Sequence, residues 1–460
     1  MRRFLRENRV TADQAHSLTL ITVGAALAMV YVTGTACPAR TEFFRAVGAD
    51  EFHFGLLTGI PLVALFMQFF GAALTNRVRR RKPVFIALLV LGRMLYVPIA
   101  FVPLLFPSLP TSVTVMVLIA LVAIASALMQ LTPPLWYSWM ADVIPSKILN
   151  RYWGTRQRWM YFTWTGSFFA VAVFTYLVPL PVTVAYPILV VIAVTAGVLD
   201  LLLFVWVDEP PNTITRDKPV LETLLAPMKH PEYKTFVVFS CVSMFSVMFA
   251  ASFMQLYVLK VLHFTVWQAT FVWCLSGIGI AVAGRRWGKI ADKHGHKPVM
   301  AVCRFLKPGI AAVFLLITPR TALWVLPPAM FIDGMLNAGN MVAANGYMLK
   351  IAPRENRSMF IAAITGLAGV CGGISAIAAG SFLHASSGFS IVLMGRTWIN
   401  YHVLFLASFL MRVACAFLIH WVKEKETSHP VHVLNDLRGV WPMRFLRFPV
   451  GFYRTQDPEE

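Results

Sequence analysis

Six ionisable side chains stand inside long apolar runs of this sequence: Arg93, Asp200, Arg304, Lys307, Asp333 and Arg412. A charged group at the centre of a bilayer costs about 2.5–3.5 kcal/mol or more, so such groups face a watery cavity or a partner. Asp333 has polar company. Asn337 and Asn340 follow it at i+4 and i+7, which puts an acid and two amides on one helix face among Met, Ala, Gly and Leu. That face either lines a cavity or forms a polar seam between helices, since Asn hydrogen-bonds across helix pairs in lipid. A carboxylate so placed can load and release a proton, which makes Asp333 the candidate for coupling to a proton gradient.

Arg93 carries a planar fork suited to a carboxylate or phosphate, or to a buried pair with an acid such as Asp200. Gln130, the run Thr132-Pro133-Pro134 and Tyr137 form a second polar stretch. Proline removes a backbone donor and frees carbonyls, so this segment is predicted to kink, either to offer polar backbone to a solute or simply to pack. Gln255, with Ser252, is a weaker candidate of the same kind, and Tyr31 is weaker still. Arg304 and Lys307 read more readily as anchors near a helix end. The glycines 366, 369, 372, 373 and 380 allow close and sliding helix contact.

The elements that must position these residues are dictated by composition. Of 460 residues, 58% are hydrophobic and 13% charged, and mean hydropathy is +0.68. That is more apolar surface than a soluble core buries, so the solvent for most of the chain is lipid. The net charge of +19 lies in short segments between apolar runs. It therefore reads as membrane orientation and not as a nucleic-acid surface. The six cysteines have no metal-type or CxxC spacing and read as small core residues, so no metal or other cofactor is expected. The basic N-terminus is followed by an apolar run too long for a cleaved signal, which reads as a first span.

Twelve runs are long enough to cross a bilayer: 16–36, 53–74, 84–107, 112–141, 158–180 and 184–207, then 234–258, 266–288, 298–318, 323–350, 359–383 and 398–422. The fold expected is an all-α membrane protein of two six-helix bundles. A polar, proline-rich linker (208–233) separates an N-terminal half (1–207) from a C-terminal half (234–422), and a basic, aromatic tail (423–460) follows, whose stretch from Arg438 to Arg454 reads as lying on a membrane surface. Most of the forty basic residues sit at the termini and in every second loop. Arg40, Arg45, Lys260, Arg320 and Arg396 are among the few on the other side, so both termini are expected in the cytoplasm.

The halves resemble each other. Arg79 to Val84 reads RRRKPV, and Gly295 to Met300 reads GHKPVM at the same place in the topology. Asp142-Val143-Ile144-Pro145 then Arg151, and Ile351-Ala352-Pro353 then Arg357, end the fourth and tenth spans. Such a six-span repeat serves carriers that rock one half against the other. The string GKIADKHGHKP (Gly288 to Pro298) resembles the loop motif of the major facilitator superfamily. The resemblance assigns Gly288 to close helix approach, Asp292 to pairing with a neighbouring helix end, and Gly295 and the basic residues to the loop surface. In the first-half copy, GAALTNRVRRRKP, Asn76 stands five residues after Gly71 where the family usually has aspartate four residues on. That departure weakens the latch there, although Arg77 and Arg80 keep its basic character. The string from Trp139 to Arg156, with Asp142 and Arg151, is similar to the family's loop between spans four and five. The resemblance also implies that spans one, four, seven and ten line a central cavity.

These observations point to a secondary transporter moving a small polar organic solute by alternating access, with protons as a coupling ion if Asp333 serves that role. Amides and Trp136, Trp139 and Trp164 fit a sugar, whereas the surplus of intramembrane Arg and Lys fits an organic anion. Efflux of amphipathic compounds is a third reading. No HExxH, GxSxG or GxxxxGK[ST] string suggests a membrane enzyme or an ATP-driven pump, and a non-transporting receptor has no evident use for the repeat. The expected setting is a monomer in a bacterial inner membrane, with the lipid bilayer and a small-molecule substrate as partners and no nucleic acid.

Overall fold

In hydrocarbon every backbone N–H and C=O needs a partner within its own segment, so apolar runs of this length can only be helices. The computed structural model describes residues 11–145, 148–212, 231–351, 357–393, 395–424 and 427–438, and these are overwhelmingly helical. The first half holds α1 (Ala12–Ala46), α2 (Glu51–Thr75), α3 (Arg81–Leu105), α4 (Thr111–Val143), α5 (Leu149–Leu177) and α6 (Val182–Trp206). The second half holds α7 (Pro231–Lys260), α8 (Val266–His294), α9 (His296–Leu316), α10 (Ala322–Ile351), α11 (Arg357–Ala385) and α12 (Asn400–Trp421). Among the described residues eleven of these twelve are apolar enough to span by composition alone. The twelfth, α10, is thirty residues long but carries Asp333, Asn337 and Asn340, the polar face that drew attention in the sequence. We call the face that bears Thr11 and Arg438 the terminal face and its opposite the distal face.

Several helices are broken where the sequence demands it. α1 runs past its predicted end because Pro38 starts a new helical segment after an extended Cys37. α4 divides at Leu131, just before the Thr-Pro-Pro run, and the Thr132 hydroxyl donates to the freed Met129 carbonyl at 2.7 Å. α9 divides at Lys307, with Pro308 opening its second segment. A hairpin of β1 (Ser390–Leu393) and β2 (Arg396–Ile399), which the sequence reading did not foresee, joins α11 to α12 on the distal face. Its turn uses Gly395 at φ +72, and Arg396 ties it to the carbonyls of Leu315, Leu316 and Ile317. A short helix α13 (Pro430–Arg438) closes the described chain. The tail beyond Arg438 lies outside the described residues.

The repeat seen in the loops extends into their hydrogen bonds. Glu209 accepts from the backbone N–H groups of Arg81 and Lys82 at the start of α3, and Glu424 accepts from that of Lys297 at the start of α9. Trp139 donates to the Asp208 carbonyl and Tyr347 to the Lys423 carbonyl, each at 2.8 Å. Each half thus ends in a glutamate that caps its own third helix, where the exposed N–H groups and the helix dipole favour an anion.

The halves meet along two seams. On one, α2 and α11 pack almost backbone to backbone: a side chain at Gly59 would stand 2.7 Å from the Gly373 carbonyl, and one at Gly380 would stand 2.7 Å from that of Glu51. The glycines of α11 therefore serve an inter-half contact. On the other seam α5 meets α8, where the Cys274 thiol approaches the Thr165 carbonyl at 3.4 Å and Trp164 lies over Gly277.

Candidate substrate site

In the first half, Arg93 of α3 and Asp200 of α6 form an ion pair at 2.8 Å, 6% and 3% exposed. The guanidinium also donates to the Gly197 carbonyl and lies 4.9 Å from the centre of the Tyr31 ring. Of the two roles open to Arg93, this geometry matches the buried pair: its charge is spent inside its own bundle. Gln130 is also engaged within its own half, its Oε1 accepting from the Gln68 amide of α2 at 3.1 Å. Tyr137, seven residues and about two turns further along α4, is 59% exposed. Beside it stands a residue the sequence reading passed over as part of a loop. Arg156 of α5 stacks over Trp136 at 4.7 Å and Trp153 at 5.2 Å, and its Nε is buried without a partner among the described residues.

The second half is arranged differently. On α10 the Asn337 amide donates to Asp333 at 2.7 Å, while the Asn340 carbonyl oxygen is buried with no partner among the described residues. Lys307 at the break in α9 and Arg412 of α12 both feel the field of Asp333, and Arg304 lies in theirs. None of the three cations forms an ion pair with Asp333. Arg412, 5% exposed, is held by Ser408 and the Val247 carbonyl, each at 3.1 Å, and Arg304 lies over the Phe239 ring. Lys307 and Arg412 thus share one acid in this bundle, with Arg304 beside them, while the first half holds the Arg93–Asp200 pair and Arg156.

The halves are locked together at the distal face. Glu51 of α2, 7% exposed, accepts from Lys260 of α7 and, at 3.1 Å, from Tyr401 of α12. Asp50 pairs with His384 of α11 at 3.0 Å, and Thr41 donates to Gln255 of α7 at 2.9 Å. Gln255 thus takes part in a closure across the halves. Nearer the terminal face, Tyr161 of α5 donates to the Met341 sulfur of α10 across the halves at 3.2 Å, and a side chain at Gly284 or Gly288 of α8 would meet no atom within 4 Å. Replacing Glu51 with Gln is expected to loosen the distal closure, because it removes the charge that holds Lys260, an effect of about 1 kcal/mol for a pair half open to water. Labelling of a Ser252→Cys side chain by an impermeant maleimide from the distal side should rise roughly fivefold; an unchanged rate would mean that Glu51 is no part of the lock.

Around the loops, Gly71 lets α2 touch the Leu131 backbone of α4. A side chain at Gly288, in contrast, would meet open space, so the close approach implied by the motif does not occur there; Gly279 and Gly334 supply it between α8 and α10. Gly295 adopts φ +90 to end α8. Asn76 ends α2, and it, Arg77 and Arg80 are exposed. The buried arginine of this loop is Arg81, 1% exposed, which pairs with Asp142 at 2.7 Å and with Ser138. Asp292 is exposed and pairs with no described residue. Its neighbours Lys293 and His294 instead bind Asp436 of α13, whose carboxyl they hold below the usual range. The side chain of Arg151 lies outside the described residues.

Two six-helix halves with matching loop caps are the frame of a rocker-type carrier, and the Major Facilitator Superfamily profile matches residues 19–381. The chain belongs to the major facilitator superfamily. Solved structures of that architecture agree in fold. A nucleoside transporter, NupG, is similar with a TM-score of 0.64 and 15% identity over 90% of this chain and all of that one, and a mutant form of it with 0.68 and 14% over 89% and 100%. A bacterial homologue of the human lysosomal transporter Spinster, inward-facing and occupied, has a TM-score of 0.64 and 14% identity over 91% and 99%. No curated protein matches the sequence. This major facilitator chain is thus an integral membrane transporter by family and fold, and its ligands include a small molecule and the bilayer.

Proposed function

We propose that this transporter carries a small polar organic solute bearing an anionic group, by alternating access, with both termini in the cytoplasm of a bacterial cell. The observation that carries the reading is the surplus of cations over acids within the helices: Lys307 and Arg412 share the field of Asp333 with Arg304 beside them, and Arg156 stands in the first half in addition to the Arg93–Asp200 pair. A buried surplus of positive charge is costly unless an anion joins it. Lys307, which stands at the break in α9, is assigned the anionic group. Asp333 is assigned the coupling proton, because it is the acid on α10 in whose field Lys307 and Arg412 lie.

A screen of the purified protein for ligands that raise its melting temperature tests this, since a ligand that binds only the folded form stabilises it. Carboxylates or phosphate esters are expected to shift the wild type, and Lys307→Gln is expected to weaken their binding on the order of tenfold, the worth of a hydrogen bond to a charged group. A shift by neutral sugars alone, unchanged in Lys307→Gln, would sink the reading. A second reading is a nucleoside, the solute of the similar transporter NupG. It is favoured by the Trp136, Trp153 and Tyr137 rings grouped around Arg156, on which a flat base could stack, and its mark would be a nucleoside shift lost in Trp136→Ala.

A further inference from the structure

The two acids of the distal closure are held by different chemistry. Glu51 is held by Lys260 and Tyr401, a contact that contains no imidazole. Asp50, one residue earlier, lies in the field of two histidines, one from each half. His53 belongs to Asp50's own half. Its backbone N–H donates to Asp50 Oδ1 at 3.0 Å and its Nδ1 lies 2.6 Å from the same oxygen, so the two residues together cap the start of α2. His384 belongs to the other half. It stands in the last turn of α11, and its Nδ1 reaches Asp50 Oδ2 at 3.0 Å. The other charged groups of this face are spent elsewhere: Arg45 on Glu42 of α1, and Arg396 on the α9 carbonyls and on His402 of its own half.

His384 is exposed, so it exchanges protons with the solution on the distal side. A neutral imidazole offers the carboxylate at most one N–H, whereas the cation adds its charge to the same contact, and charge-assisted hydrogen bonds are roughly twice as strong. Because the pair joins the halves, opening the distal face must break it. The closed form therefore holds the His384 proton more tightly than the open form, and by linkage a falling pH favours closure. We propose that His384 and Asp50 form a pH-sensitive latch on the distal face: acid on that side charges His384 and holds α11 against α2, and alkaline solution releases it. The latch rests on the rocking of one half against the other and not on the solute assigned above. His53, when charged, draws on the same carboxylate from within its own half and so limits the strength of the latch.

The test is the rate at which an impermeant maleimide labels a Ser252→Cys side chain from the distal side of sealed vesicles, with and without His384→Gln, at about pH 5.5 and about pH 8, on either side of the range in which histidine changes charge. Comparing the two proteins at each pH cancels the pH dependence of the maleimide reaction itself. Near pH 8 their rates should agree. Near pH 5.5 the His384→Gln protein should label roughly threefold faster, as for the loss of a partly exposed ion pair. Asp50→Asn removes the charge but keeps a side chain that caps α2, and should reproduce that pattern. Equal rates with and without His384→Gln at both pH values overturn the proposal. So does a difference of the same size at both, which would make the contact a plain structural one, and so does a His384-dependent pH response that survives Asp50→Asn.

Discussion

Asp200→Asn is expected to destabilise the protein more than any other single change considered, because it leaves the Arg93 guanidinium charged, 6% exposed and without its acid. Breaking a buried ion pair by removing one partner costs about 3–5 kcal/mol, whereas replacing both partners by apolar side chains is close to neutral. The melting temperature of Asp200→Asn in detergent should therefore fall steeply, and that of the double variant Arg93→Met with Asp200→Leu should recover most of the loss. The same pair of experiments separates the two roles open to Arg93. A residue that only bound substrate would leave stability untouched in Arg93→Met and raise KM. A melting temperature insensitive to all three variants would remove the structural role.

Asp333→Asn is expected to abolish uphill uptake driven by a pH gradient while leaving exchange of labelled for unlabelled solute across the membrane. An asparagine can still accept the Asn337 amide bond that Asp333 accepts at 2.7 Å, so the helix face survives. It cannot load and release a proton. Net accumulation needs that step at every turn, and solute exchange does not. Lys307 and Arg412 would at the same time lose the one acid in their field, so the solute should be held more tightly and leave more slowly. If proton-driven accumulation persists in Asp333→Asn, the coupling group lies elsewhere and the assignment fails.

Some of this site was legible without coordinates. The i, i+4, i+7 spacing of Asp333, Asn337 and Asn340 found a real helix face, because helical periodicity is local. The loop strings located the ends of α2 and α4 for the same reason, whereas α8 runs on to His294, six residues past its predicted end. Glu209 and Glu424 were missed, although a signal for them existed: Trp206-Val207-Asp208-Glu209 and Trp421-Val422-Lys423-Glu424 are separated by the same number of residues as the two Lys-Pro-Val strings. Arg156 was read as loop because its own segment is polar, and nothing within it reveals that Trp136 of another helix lies over its guanidinium. Glu51 was not singled out, since an acid next to a loop looks solvated until Lys260 and Tyr401 are brought to it.

The sequence by itself determined that this chain is twelve helices in lipid, in two related halves, and that each intramembrane charge must find water or a partner. These follow from the cost of unpaired backbone and charge in hydrocarbon, which every residue meets alone. Only the tertiary structure decided that Arg93 is neutralised while Lys307 is not, that Gln255 and Glu51 close the distal face, and that Arg80 is exposed while Arg81 is buried. Those outcomes depend on which helices become neighbours. Arg93 and Asp200 meet across more than a hundred residues of chain, a distance over which composition and periodicity carry no information about pairing.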